Sequence, residues 1–219
     1  MSLRYALLGY LSTSPASGYT LGRDFADGAG AMWEALPSQI YPELAKLETL
    51  GWINGTQDSG DRLKRRLYAL TAAGEHALQA WVESADAVHP AERDAERVRF
   101  LFLDRSEPAV VRRHIERYRA HYEDCLARWL TDRDAIDAGT HPRMIDRLAG
   151  CNIKDRAVVT KMKWFAFDGL VRRAQAELAW ADAILSWLHD SHAGIQGRSV
   201  RVKRTSVVPL TKKKLKRTT

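Results

Sequence analysis

The sequence predicts a mainly α-helical protein with a small two-stranded β wing. Three observations carry this. Apolar residues fall into helical stripes over most of the chain. Two short strand-like segments flank the turn signal Asp58-Ser59-Gly60-Asp61. A composition of 45% apolar and 28% charged residues over 219 positions supports a packed core, divided between two modest domains.

Leu3, Ala6, Leu7, Leu8, Tyr10 and Leu11 predict a first helix. Residues 12–17, with Pro15, read as a turn. Gly18 opens a second helix, with Tyr19, Leu21, Gly22 and Phe25 as packing positions and residues 28–30 as its end. Ser38 is the expected N-cap of a third helix that reaches Leu50, with Gly51 as its stop. Its residues Ile40, Leu44, Leu47 and Leu50 stand at gaps of 4, 3 and 3, which is one helical stripe. Trp52-Ile53 begins one strand, and residues 63–70 return as another. Thr71 caps a fourth helix over 72–88, before Pro90. Three helices, two strands around a turn and a further helix form the winged-helix plan, a helix-turn-helix variant.

The second half predicts helices over 91–103, 108–137 and 152–189, with a break at Gly139-Thr140-His141-Pro142. Val111, Ile115, Tyr118, Tyr122, Leu126 and Trp129 share one side of the middle helix. In the last, Trp164, Phe167, Val171, Ala174, Leu178, Ala181, Leu185 and Leu188 recur at alternating gaps of 3 and 4, a heptad seam. Leu170, Trp180, Ile184 and Trp187 add a second stripe beside it. A helix apolar on two sides is buried on two sides. One side packs within its own domain; the other asks for a partner, most simply a second copy. The expected division is a winged-helix DNA-binding domain at 1–88, a helical dimerisation and effector domain at 89–192, and a basic, disordered tail at 193–219.

The formal charge of +7 comes from the tail. Residues 198–219 hold nine Lys and Arg and no acid, which leaves 25 basic against 27 acidic residues elsewhere. The tail reads either as a polyanion-seeking extension or as a merely solvated one. Function must therefore be argued from local patterns rather than from the overall charge. The chain holds no 18-residue apolar run and no signal-peptide pattern, so a cytoplasmic protein with no membrane span is expected. Cys125 and Cys151 fit neither a disulfide framework nor a metal cluster. Phosphate-binding glycine loops, a nucleophile elbow and paired-cysteine or zinc-protease motifs are not found, so neither an enzyme nor a cofactor is expected. The cluster His189-Asp190-Ser191-His192 lies at a helix end and reads as solvated, not as a metal site.

Residues 2–9, Ser-Leu-Arg-Tyr-Ala-Leu-Leu-Gly, resemble the opening of PadR-family transcriptional regulators of bacteria. Gly18-Tyr19-Thr20-Leu21 resembles their second-helix start. Residues 38–48, Ser-Gln-Ile-Tyr-Pro-Glu-Leu-Ala-Lys-Leu-Glu, closely resemble their recognition helix. Residues 65–71 and then Gly74 resemble their wing strand and linker helix. The long C-terminal helices resemble the longer subgroup, whose helical domain dimerises. The resemblance implies a homodimeric regulator, often a repressor, that responds in some members to phenolic acids or other small aromatic effectors. Its partner would be double-stranded DNA carrying a pseudo-palindromic operator.

A recognition helix shows polar side chains to the major groove and apolar ones to its own domain. With Ile40, Leu44 and Leu47 inward, Ser38, Gln39, Tyr41, Pro42 and Lys46 are left for DNA. Gln39 suits adenine, Ser38 and Tyr41 suit phosphate, and Pro42 falls in the first turn if Ser38 is the cap. An ordinary solvated helix face is the alternative. Arg62, Lys64, Arg65 and Arg66 cluster after the wing turn, which suits phosphate or minor-groove contact. A charged strand edge that discourages aggregation is the alternative. Tyr5 and Tyr19 are further candidates for phosphate, or for core. Trp129, Trp164, Phe167, Val171, Leu178, Trp180, Leu185 and Trp187 are the candidate dimer and effector residues, because a dimer cavity lined by aromatics binds planar apolar molecules. Two rival functions remain: a helical protein-interaction scaffold, and a nonspecific DNA binder driven by the tail. The wing cations argue against the first, and tail dependence would mark the second.

Overall fold

The computed structural model describes residues 2–27, 35–57, 65–84 and 94–194. Helix α1 (Ser2–Leu11) leads into strand β1 (Ala16–Ser17) and helix α2 (Gly18–Asp27). Helix α3 (Pro37–Thr49), strands β2 (Ile53–Gln57) and β3 (Arg66–Leu70), and helix α4 (Ala72–Glu83) complete the N-terminal part. The C-terminal part holds α5 (Ala95–Phe100), a 3₁₀ turn at Leu103–Arg105, α6 (Pro108–Asp137), α7 (Pro142–Ala149) and α8 (Arg156–Gly194).

The N-terminal core is built by the predicted stripes. Leu7, Leu8, Leu21, Phe25, Ile40, Leu44 and Leu47 are all at 0% exposure and pack into one cluster with Leu11, Ile53 and Tyr68. Burying each such side chain stabilises the fold by about 1.5–3 kcal/mol. The sheet has three strands rather than two, in the order β1-β3-β2 and antiparallel throughout. Residues 12–17 were expected to be only a turn, but Ala16 pairs with Tyr68 and Ser17 with Leu67. A two-residue strand has no periodicity to read. Thr71 caps α4 as expected, its hydroxyl accepting from Gly74 N at 3.1 Å. That helix ends at Glu83 rather than 88, because Ser84 turns the chain to an extended conformation with ψ 123°. The turn at 58–61 and the tail from 195 onward lie outside the described residues.

Helix α3 starts earlier than the Ser38 cap predicts. Leu36 is the N-cap and Pro37 the first helical residue. The Gln39 side chain takes the capping role, its Oε1 accepting from Leu36 N at 3.0 Å while Gln39 N donates to Leu36 O at 2.8 Å. Pro42 therefore lies in the helix interior, not in its first turn. It can donate no backbone bond toward Ser38 there. Gly51 stands just beyond the helix at φ 69°, as its predicted stop.

Helices α6 and α8 run antiparallel and share two apolar clusters. Cys125 and Trp129 pack with Val171 and Ala174; Ile115 and Tyr118 pack with Ala181. Arg119 pairs with Asp182 at 2.6 Å, and Arg133 with Asp168 at 3.5 Å. The heptad seam of α8 is thus largely filled within the chain, by α6. Helix α5 docks through Arg97, which pairs with Glu177 and stacks 4.0 Å over the Trp180 ring. Tyr118 donates to the same Glu177 oxygen at 2.8 Å. Burial and these bonds push the Tyr118 hydroxyl well above its ordinary range. The expected break at 139–142 separates α6 from α7, a helix that was not expected; Pro142 suits its first position and Met144 is buried.

Candidate nucleic-acid interface

The apolar face of α3 is sealed, so its opposite face is presented outward. Ser38, Gln39, Pro42 and Lys46 are exposed, and Tyr41 is 51% exposed. The Tyr41 ring rests on the start of α2. A Cβ on Gly18 would stand 2.5 Å from Tyr41 Cε1, so only glycine leaves that ring its place. The next residue, Tyr19, is 59% exposed and carries Arg65 above its ring at 5.0 Å. Recognition helix, second-helix start and wing base therefore meet on one surface. Arg62 and Lys64 lie outside the described residues.

Two of the predicted cations are held by glutamates of α3 itself. Lys46 Nζ lies 3.5 Å from Glu43, which also receives Arg4 Nε of α1 at 2.9 Å. Burial pushes the Glu43 carboxyl up, but Arg4 and Lys46 together hold it below its ordinary range. Arg66 pairs with Glu48 at 2.5 Å and reaches over the Tyr68 ring. Tyr5 is not displayed as a phosphate contact: its half-buried ring stacks on Trp81 of α4, 4.8 Å away and nearly parallel at 6°. Glu43 and Glu48 escaped the sequence reading. Glu43 three residues before Lys46 was a readable helical pairing; Glu48 and Arg66, far apart in sequence, offered no such spacing.

The candidate effector residues do not line one cavity. Trp164 and Trp187 sit on one continuous helix, roughly 34 Å apart at helical rise. Trp129 is packed in one cluster, with Val171, and Trp180 in the other, where Leu185 also packs. Phe167 faces His141, while Trp187 is 63% exposed and Leu178 half-buried. Among the described residues, the large apolar side chains that α8 leaves exposed are Val158, Met162, Phe165 and Trp187.

Helix α7 joins this C-terminal part to the winged helix. Arg143 pairs with Asp24 of α2, and Arg147 Nη1 reaches Ser12 Oγ at 3.4 Å. No described helix is long and apolar enough to cross a membrane.

Known proteins bear directly on this architecture. The model of the PadR-like family of transcriptional regulators matches residues 7–80, and that of the Virulence activator alpha C-terminal domain matches 92–189. The negative transcriptional regulator PadR of Bacillus subtilis (strain 168) is 41% identical over 81 residues, which are 36% of this chain and 44% of that protein. The matched sequence thus spans less than half the length of that relative. Two crystal structures of Bacillus subtilis PadR share the fold at 21% identity. The complex with operator DNA gives a TM-score of 0.64, over 86% of this chain and 99% of that one. The complex with p-coumaric acid gives 0.58, over 85% and 95%. The chain thus carries a PadR-like domain at 7–80 and a Virulence activator alpha C-terminal domain at 92–189, and it shares the fold of the PadR crystal structures across both.

Proposed function

We propose that the chain is a homodimeric repressor that binds a pseudo-palindromic DNA operator and releases it on binding a small aromatic acid. One observation carries the DNA-binding reading: Tyr41 of α3, Tyr19 of α2 and Arg65 at the wing base share one surface while the inner face of α3 is fully buried. A major-groove helix flanked by a basic wing has this form. Ser38, Gln39 and Lys46 extend the contact along α3, and Arg62 and Lys64 would add charge at the wing. The operator complex of the Bacillus subtilis relative supports the same reading.

Dimerisation is assigned to the uncovered face of α8, where Val158, Met162 and Phe165 recur at gaps of 4 and 3. Covering them removes an apolar stripe from water, and twofold pairing sets two recognition helices at two half-sites. The effector reading is supported by the p-coumaric acid complex of the relative. Within this chain, Trp129 is 6% exposed and its indole N–H has no acceptor among the described residues, an open position for a ligand oxygen.

The test is selection of duplexes from a random pool by the purified chain, followed by fluorescence anisotropy and light scattering. A palindromic consensus bound by a dimer is the expected result. Binding that ignores sequence, or that vanishes when residues 195–219 are removed, overturns it. Addition of p-coumarate should release the selected duplex and quench tryptophan fluorescence, and Trp129→Phe should weaken both responses.

A further inference from the structure

We propose that Glu48 is a positioning residue for DNA recognition, which locks the wing to the recognition helix so that both engage one site in fixed register. The proposal rests on the DNA-binding reading above and adds a residue to it.

One carboxylate oxygen joins three elements. Glu48 Oε1, in the last turn of α3, accepts from Gly55 N of β2 at 3.0 Å and from Arg66 Nη2 of β3 at 2.5 Å. Gly55 makes the room for this. A Cβ there would stand 2.2 Å from Arg66 Nε and 2.8 Å from Glu48 Oε1, so a side chain at 55 would displace both groups from this arrangement. Arg66 then lies over the Tyr68 ring at 5.9 Å, and Tyr68 is part of the buried core. The wing is thereby indexed to α3 by an ion pair, a backbone bond and a ring contact.

General electrostatics opposes an acid at this place. A carboxylate in the last turn of a helix meets the negative end of the helix dipole. A carboxylate near a DNA-facing surface also repels phosphate. Its contacts with both strands are what favour it. Arg66, neutralised by Glu48, is correspondingly a brace more than a phosphate contact, while Arg65 beside it lies over the Tyr19 ring.

The sign of one substitution separates the two roles. The probe is a duplex that the wild-type chain selects from a random pool, compared with a scrambled duplex of equal length. Glu48→Gln removes the charge and keeps an acceptor for Gly55 N; Arg66→Gln removes the partner. Each should weaken the selected duplex about tenfold, leave the scrambled duplex within about twofold, and leave its salt slope unchanged. The double variant should be no worse than either single one, and Arg66→Lys should recover part of the loss. Hydroxyl-radical footprints should lose the wing-side protection and keep the major-groove protection. If Glu48→Gln tightens both duplexes alike, Glu48 is only a repelling charge and the proposal is overturned. Additive losses in the double variant also overturn it. Thermal melts accompany each protein; should Glu48→Gln be unfolded at the assay temperature, Arg66→Gln and Arg66→Lys decide by the same criteria. Failure of the wild type to select any sequence sinks the DNA-binding reading, whereas a selected sequence that Glu48→Gln reads normally sinks only the role of Glu48.

Discussion

Arg143 of α7 pairs with Asp24 of α2 and lays its guanidinium over the Tyr10 ring of α1, 4.0 Å from the centroid. A residue of the helical part thus grips both helices that carry the back of the winged helix. Asp24 is only 17% exposed, so the pair is partly shielded from solvent. The contact ties α7 directly to α1 and α2.

Arg143→Ala removes both the ion pair and the ring contact. Because the guanidinium is more than a third exposed, the loss should be modest, about 1 kcal/mol. Denaturant unfolding of Arg143→Ala, Asp24→Asn and the double variant measures it. The double variant should cost less than the sum of the singles. Full additivity would show that the two side chains do not act together.

Readout by α3 separates from attraction by the wing. Gln39→Ala should cost about 1–3 kcal/mol at one base position of a selected duplex and little on random DNA. It also removes the bond to Leu36 N, so helix stability must be measured beside it. Arg65→Ala should weaken both duplexes and lower the salt slope by roughly 0.9. A binding series over single-base variants checks the first, and a salt titration the second. If Gln39→Ala leaves every base preference intact, its amide serves only the helix start.

The two sides of α8 should respond differently to charge. Phe165→Arg, on the uncovered side, should give folded monomers. Val171→Arg, at 2% exposure against α6, should instead unfold the helical part. Light scattering and circular dichroism distinguish the outcomes. A Phe165→Arg protein that stays dimeric removes this face from the interface.

Acid should destabilise the helical part in two steps. His141 precedes α7, and burial holds its imidazole below the ordinary range; Asp132 at 4.0 Å pulls it up and Arg143 pushes it down. The folded chain therefore prefers the neutral ring more than the unfolded chain does. That stabilisation is complete above about pH 6.5 and is lost as the pH falls below it. Asp168 is held below the ordinary carboxylate range, first by the Arg172 hydrogen bond, with burial opposing and the charges of Arg172 and Arg133 adding. Its contribution is present above about pH 4 and is lost as the pH falls through its lowered value. Melting temperatures should drop between about pH 7 and 5, and His141→Gln should flatten that range alone. Asp168→Asn should flatten only the acid limb. Identical profiles for wild type and His141→Gln would exclude His141 as the source.

What the sequence revealed was local. The stripe Ile40, Leu44 and Leu47 announced both the third helix and its buried face, because periodicity reports burial directly. The same logic left the partner of α8 open. Heptad spacing shows that Val171, Ala174 and Ala181 are covered, but an intrachain partner and a second copy leave the same pattern. The helix start was misplaced because polar-cap rules favour Ser38, while here Leu36 is capped by a glutamine three residues on. Strand β1 is too short to show a period, whereas Met144, Ile145 and Leu148 of α7 do stand at helical spacing. The bond from Glu48 to Arg66 is set by the register Gln57↔Arg66, which no local window contains.

Among the described residues, two side chains of α7 hold the winged helix to the helical part, Arg143 on Asp24 and Arg147 on Ser12. A rigid body fixed at one point can turn about any axis. Fixed at two, it can only swing about the line between them. Any repacking of α6 against α8 that leaves both anchors intact would therefore move the recognition helix along a single arc. The separation of two such helices in a paired molecule would then have one degree of freedom, a dial rather than a loose joint.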